Sequence, residues 1–366
     1  MSAVVTDAPG VRRAWGWVAH LVDGGTTPWR DWSREGDSRG RVLPGAQQLE
    51  LLRRLNLAGR PGPDLAERVL LASAPGRGRP DLELEGAVER LAFGPAPIDP
   101  ADLPDDELLR VAAGLVAADL VAAGLPAPGR VPRPRFWRTR YRLVGDPVLA
   151  DPVRDALVAR GRPPGGRGPV VLVLGTDVWT MLTHAWTARS FAGGVPSWGE
   201  WLDGVAARRR LPPAVDLVGT ARAWRERVGP ERVQVVLDPA ALPGLVGVRG
   251  SLPGPPALSA DAVDLARRVG QVLGLLVLPP LRRDLLRHAL LPRVAGLPGA
   301  PLAVPDEHAG WTRTRAGRVR DALLRAGYPV HGDPDSLLPV DRTGAPEPSD
   351  AGVLALALRL LLEKET

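Results

Sequence analysis

The sequence predicts an all-helical N-terminal domain followed by an α/β domain with a parallel sheet flanked by helices. Three observations carry this. Residues 1–125 hold amphipathic apolar patterns of helical period and no strand pattern. Pro126–Arg135 (PAPGRVPRPR) is a Pro/Arg-rich connection suited to a domain boundary. Over residues 136–366, short β-branched runs alternate with helical patterns, as in a sheet built from crossover units.

In the N-terminal domain, Val11–Val22 places Trp15, Trp17, Val18 and Leu21 at helical spacing. The turn Asp23–Trp29 contains Gly24-Gly25-Thr26-Thr27, which has neither the preceding buried strand nor the lysine of a phosphate loop. A helix end followed by a new start accounts for it. Pro44–Asn56 aligns Leu49, Leu52 and Leu55 on one face of a helix, and Pro63–Ala74 is another helix. Asp99–Leu125 contains the strongest helix of this half, opened by Asp105, Asp106 and Glu107, whose charges suit a helix N-terminus. No chemical constellation stands out in this half.

The second half is organised around Tyr141–Arg189. Arg140–Gly145 reads as a strand, and Asp151–Arg160 as a helix capped by Asp151 with Pro152 in its first turn. Pro169–Leu174 is a continuous apolar run suited to a strand buried on both faces. Thr180–Phe191 is the next helix. Gly193–Gly204 is a loop and short helix, Val215–Val228 a helix, and Glu231–Leu237 a strand. Further helices are expected at Ser259–Gly274, Leu281–Val294, Ala309–Ala326 and Asp350–Glu363.

Composition removes several classes of function. The chain has 366 residues and no cysteine, so disulfides, thiolate metal sites and cysteine nucleophiles are excluded. No signal-peptide pattern and no apolar run of about 20 residues occurs, which predicts a cytoplasmic protein without membrane insertion. The net charge of +6 comes from arginine, the only lysine being Lys364. The arginines are dispersed among acids on helix faces, which argues for a solvated surface and against nucleic acid. Arginine also binds phosphate and sulfate in bidentate fashion, so an anionic ligand stays open. No Ser-His-Asp order or GxSxG elbow is present.

Three segments of the second half, taken in order, resemble the P-loop sulfotransferase superfamily, in particular actinobacterial sulfotransferase-like proteins. LVGDPVLADPVRDAL (Leu143–Leu157) stands where that family has a strand, a GxPKSGTT phosphate loop and a helix. VLVLGTDVWTMLTHAWTARSFAGGVPSWGEWLDG (Val171–Gly204), with the ARAW…VGPERVQVVLDPAAL segment (Ala221–Leu242), is similar to the family's strand, RDP-type turn, serine-bearing helix and following helix–strand. LLRAGYPVHGDPDSLLP (Leu323–Pro339) is similar to the "GYDVVGDLDDLLP" ending. The resemblance implies a sulfotransferase-like fold of P-loop NTPase type over about residues 136–366. In an active member it also implies transfer of a sulfuryl group from 3′-phosphoadenylyl sulfate to a hydroxyl of a glycan or small molecule. It points to Gly145, Asp146, Asp177, Thr183 and Arg189 as the cofactor-binding positions.

The residues depart from the family's pattern at the donor site. Val148 stands at the loop lysine, and Ala150, Asp151 and Pro152 at the small residues of GTT. Thr176 replaces the Arg of the RDP-type turn, Asp177 matches, and Val178 replaces the Pro. Thr183 keeps a hydroxyl near the serine position. Carboxylates and a proline are the opposite of what a convergent set of N–H donors around an anion requires. The expectation is a degenerate donor site and a binding or scaffolding role with a protein partner or an anionic or sugar ligand. The alternative is a transferase whose arginines replace the loop lysine.

His184 is the candidate catalytic base, because deprotonating an acceptor hydroxyl needs one. A hydrogen-bonded helix-surface histidine is the competing account. Trp179, Trp186, Trp198 and Trp201 suit sugar stacking or core filling, with core expected for at least two. Arg138, Arg140, Arg142 and Arg189 suit anion binding or pairing with nearby acids. His331 and Asp333 suit a turn closed by an Asp side chain better than a metal pair.

Overall fold

The computed structural model describes residues 9–37, 42–73, 81–87, 97–127, 140–166, 168–340 and 343–363. Residues 128–135 of the expected linker, Arg138 and Lys364 lie outside these. The elements in chain order are α1 (Pro9–Val22), α2 (Ala46–Ala58), α3 (Pro63–Leu71), α4 (Asp105–Ala123), β1 (Tyr141–Gly145), α5 (Pro147–Ala159), β2 (Val170–Leu174), α6 (Val178–Ser190), α7 (Trp198–Arg208), α8 (Leu217–Val228) and β3 (Val233–Val236). They continue as α9 (Leu242–Leu245), α10 (Ala260–Leu276), α11 (Pro279–Asp284), α12 (Leu291–Val294), α13 (Asp306–Ala326), β4 (Val330–His331) and α14 (Asp350–Glu363).

The chain forms two compact units. The first combines residues 1–124, 268–285 and 349–366; the second holds 125–267 and 286–348. The first unit is helical. α4 is buried on most sides, by Leu108, Leu109, Val111, Ala112, Leu115, Val116 and Leu120, and it packs against α2, α3 and most extensively α14. The sequence pattern grouped α14 with residues 136–366, yet its Val353, Leu354, Ala357, Leu358 and Leu361 side is buried in the first unit. The glycine pair after α1 acts as a helix end. Gly24 has φ 89°, and the Gly25 N–H donates to the His20 carbonyl. Glu50 is buried in α2 and neutralised by Arg53 at 2.7 Å and Arg54 at 2.8 Å.

The second unit is α/β. Four parallel strands stand in the order β1-β2-β3-β4. The register sets Leu143 beside Leu172 and Gly145 beside Leu174, so side chains of like parity share a face. Tyr141, Leu143, Leu172, Leu174 and Val236 pack with Ala150, Val153 and Leu157 of α5 and with Leu242 and Val246. α8 packs along β2 and β3. β4 has only two residues, too few for a strand pattern to show in the sequence; it extends the sheet through Val235↔Val330 and Val236↔His331.

Two expectations are corrected. The helix after β1 starts at Pro147, capped by Asp146, and not at Asp151. The sequence offers the Asp-Pro start signal twice, and the first one takes effect, leaving Pro152 inside the helix. The helix expected over Leu281–Val294 is α11, a π-helical turn at Leu285–Leu290, and α12. Pro279 and Pro280 begin it earlier, and Pro292 cannot donate its missing N–H to a regular ladder.

Trp186, Trp198 and Trp201 are core residues. Trp186 meets Trp198 edge-on at 5.6 Å, and Trp198 stacks on Trp201 at 5.6 Å. Asp333 closes a turn by accepting from the Asp335 N–H, and His331 Nε2 pairs with Gln234 Oε1 at 2.9 Å. Among the described residues no cluster suits a metal.

Tyr141 is buried at the start of β1 and donates its hydroxyl to the Arg162 carbonyl at 2.5 Å. Burial pushes its ionisation up to about 12, against opposing charge from Arg162 and Arg154. The folded state therefore resists losing this proton more than the unfolded chain does. Its contribution to stability is complete below about pH 10 and is lost as pH rises toward 12. Urea midpoints measured between pH 9 and 12 are expected to fall less steeply in Tyr141→Phe than in the parent. An unchanged slope would remove Tyr141 as the cause.

Candidate functional site

The site lies where β1 and β2 end. Gly145 closes β1 with φ 95°. A Cβ at this position would collide with the Leu174 carbonyl oxygen of the neighbouring strand, which leaves room for glycine alone. The Asp146 N–H donates to that same carbonyl at 3.0 Å, so the next side chain is turned inward at the start of α5.

The Asp146 side chain is fully buried and uses both oxygens. Oδ1 accepts from the Val148 N–H at 2.9 Å and the Leu149 N–H at 3.4 Å. Oδ2 accepts from His184 Nδ1 at 2.6 Å. At the end of β2, the Gly175 N–H donates to the Val236 carbonyl, and Asp177 caps α6 by accepting from the Thr180 N–H at 2.9 Å. Both helices that begin at this sheet edge thus have a carboxylate seated on their first N–H groups.

The positions expected to stand for a phosphate loop form no loop. Val148, Ala150, Asp151 and Pro152 all lie within α5. Asp151 is paired with Arg154 and with Arg287 at 3.1 Å.

His184 stands in the second turn of α6. Nδ1 donates to a buried carboxylate, which leaves Nε2 as the ring nitrogen without that partner; in the tautomer with its proton on Nδ1, Nε2 is an acceptor. The ring lines a cavity of about 490 Å³, together with Asp177, Trp179, Thr180 and Thr183. The opposite wall is formed by Pro301–Asp306 and by Val340, Thr343, Gly344 and Pro346. Reciprocal backbone bonds, from Ala303 N–H to Ala345 O and from Ala345 N–H to Pro301 O, each 2.8 Å, hold that wall together. Trp179 is fixed by donating to Thr312 Oγ1 at 2.7 Å, and the Arg313 guanidinium lies 5.0 Å from its ring centre.

Of the residues singled out in the sequence, Asp146, His184, Asp177 and Thr183 come together. Gly145 serves them as the turn that aims Asp146. The Thr183 hydroxyl donates to the Thr180 carbonyl at 2.9 Å and so is engaged by its own helix. Arg189 is exposed in the last turn of α6 and does not line the cavity. Arg142 faces the Trp224 ring at 5.6 Å. No arginine or lysine is among the described residues lining the cavity. The partner of His184 is Asp146, 38 residues earlier in the chain. The wall residues Pro301–Asp306, Val340, Thr343, Gly344 and Pro346 carry no motif, and only the tertiary fold brings them here.

A second, apolar pocket at the ends of β2 and β3 is lined by Leu149, Val153, Leu174, Val236, Leu242 and Leu252 among others, with a volume of about 70 Å³. It offers no polar side chain to a ligand. No protein-family profile matches the chain, and neither a curated protein nor a solved structure matches it above chance.

Proposed function

We propose that this chain is a sulfotransferase-like protein with a dismantled donor site, which serves as a binding protein for an uncharged, hydroxyl-bearing ligand in the cavity beside His184. One observation carries the reading. The helix N-termini at the ends of β1 and β2, where a nucleotide's phosphates would find convergent N–H groups, are already capped by Asp146 and Asp177. A phosphosulfate would have to displace two carboxylates and would meet their charge. The residues present do not fit 3′-phosphoadenylyl sulfate.

The cavity suits a neutral polyol better. His184 Nε2 accepts a hydrogen bond from a ligand hydroxyl, with Asp146 fixing the ring's tautomer. Asp177 and the Thr180 and Thr343 side chains add polar groups to the lining. Pro301, Leu302, Val304 and Trp179 supply the apolar surface against which sugar C–H faces pack.

Thermal denaturation with 3′-phosphoadenosine 5′-phosphate tests the reading. A ligand at 100 times its Kd stabilises by about 2.7 kcal/mol. Millimolar nucleotide is expected to leave the melting temperature unchanged. A panel of neutral mono- and disaccharides is expected to contain one that raises it in the parent and not in His184→Gln. Stabilisation by the nucleotide, lost in Thr183→Val or Arg189→Ala, would overturn the proposal in favour of a working transferase site.

A further inference from the structure

The corner between α10 and α11, in the first unit, exposes apolar surface that the cavity and its chemistry leave unexplained. From Val269 to Leu281 the chain carries no charged residue. Leu273 inside α10 and Leu285 just past α11 are buried and anchor the corner. Leu275, Leu276, Leu278 and Leu281 are 73%, 54%, 77% and 40% exposed. Leu278 stands at the vertex, extended, with Pro279 beginning the next helix. These leucines point outward because the corner turns within a few residues, and its inner positions are already taken by Leu273 and Leu285.

Cations adjoin the patch. Arg282 and Arg283 follow Leu281, and the Arg282 guanidinium lies against Gly274, beside Leu275. Neither arginine has an ion pair among the described residues, whereas Arg268, at the other end of the run, is held by Asp106 and Asp350. The one acid beside the pair is Asp284.

We infer that this corner is a docking surface for an anionic lipid bilayer, with the four leucines entering the headgroup–acyl boundary and Arg282 and Arg283 meeting lipid phosphates. Two considerations select this occupant. Four partly exposed leucines fall short of the roughly 800 Å² that each partner contributes to a stable protein interface. A small apolar tip flanked by unpaired arginines is sufficient for reversible association with an anionic surface. The segment does not cross the membrane: among the described residues no helix is long and apolar enough to do so.

Co-sedimentation of the full chain with vesicles tests this. Binding is expected to phosphatidylglycerol/phosphatidylcholine vesicles, with little to phosphatidylcholine alone, and it should fall as salt is raised. Leu275→Glu with Leu278→Glu is expected to abolish binding. Arg282→Gln with Arg283→Gln should weaken it by roughly tenfold or more. Leu71→Glu, at a site 77% exposed elsewhere in the unit, should leave it intact. All substituted leucines are exposed; circular dichroism and melting checks establish folding, and Leu278→Gln serves as the milder variant. Absence of binding to anionic vesicles overturns the inference. So does binding that Leu275→Glu/Leu278→Glu leaves unchanged. A dimer in light scattering that Leu278→Gln splits would assign the patch to a second copy and equally overturn it.

Discussion

Replacing Asp146 by alanine is expected to destabilise the α/β unit by about 2–4 kcal/mol. Loss of a helix cap costs about 0.5–2 kcal/mol. A buried donor left without its acceptor, here His184 Nδ1, costs about 1–3 kcal/mol. The two add because they involve different oxygens of one carboxylate, Oδ1 on the α5 N–H groups and Oδ2 on the imidazole. The denaturation midpoint should fall at constant slope. Asp146→Asn separates the parts. Its amide oxygen can still cap α5, while its NH₂ group can only donate to the ring. The imidazole proton is then expected to move from Nδ1 to Nε2, visible in long-range nitrogen–proton NMR correlations of His184. Loss below about 0.5 kcal/mol in Asp146→Ala, or an unchanged tautomer in Asp146→Asn, would dismiss this arrangement.

Gly145→Ala is expected to be at least as damaging, by about 3 kcal/mol or more, through backbone geometry alone. A side chain at φ 95° is strained by about 1–3 kcal/mol. The added Cβ would also press on the Leu174 carbonyl oxygen, a backbone atom of the central strand pair that cannot swing aside. Gly124→Ala is the natural comparison. It also has positive φ, 69°, but open space around it, and it should cost only about 1–2 kcal/mol. Equal losses in the two variants, read from urea midpoints, would mean that the collision is relieved by local movement.

The two substitutions bear on how much of the molecule is legible in its sequence. The alternation of strand and helix through Tyr141–Ser190 is readable because short, continuous apolar runs between Gly and Pro breaks suit strands buried in a parallel sheet, and the longer segments between them suit helices. Valine-rich Val170–Leu174 leaves little choice. The start of α5 is ambiguous because Asp-Pro occurs at both 146 and 151, and only β1 ending at Gly145 decides between them. β4 is too short to carry a period and exists because β3 offers it an edge. The contacts that make the candidate site, Asp146 to His184 and α6 to the wall at 301–306, join residues far apart in the chain. Local pattern does not encode such pairs. For the four tryptophans near α6 the sequence leads one to expect core for at least two; the structure buries three, Trp186, Trp198 and Trp201, and the fourth, Trp179, bonds to Thr312 and lines the cavity.

The threading of the first unit has a consequence for how the protein is made. α4 buries its apolar side against α14, which begins at Asp350, and residues 268–285 belong to the same unit. On a ribosome, α4 emerges well before α14 and must wait for the intervening α/β unit before this partner is translated. A part synthesised before the α/β unit is therefore completed after it. Until then the α14-facing side of a leucine- and alanine-rich helix, though α2 and α3 already cover other sides, stands open, the kind of transiently exposed apolar surface on which nascent chains aggregate.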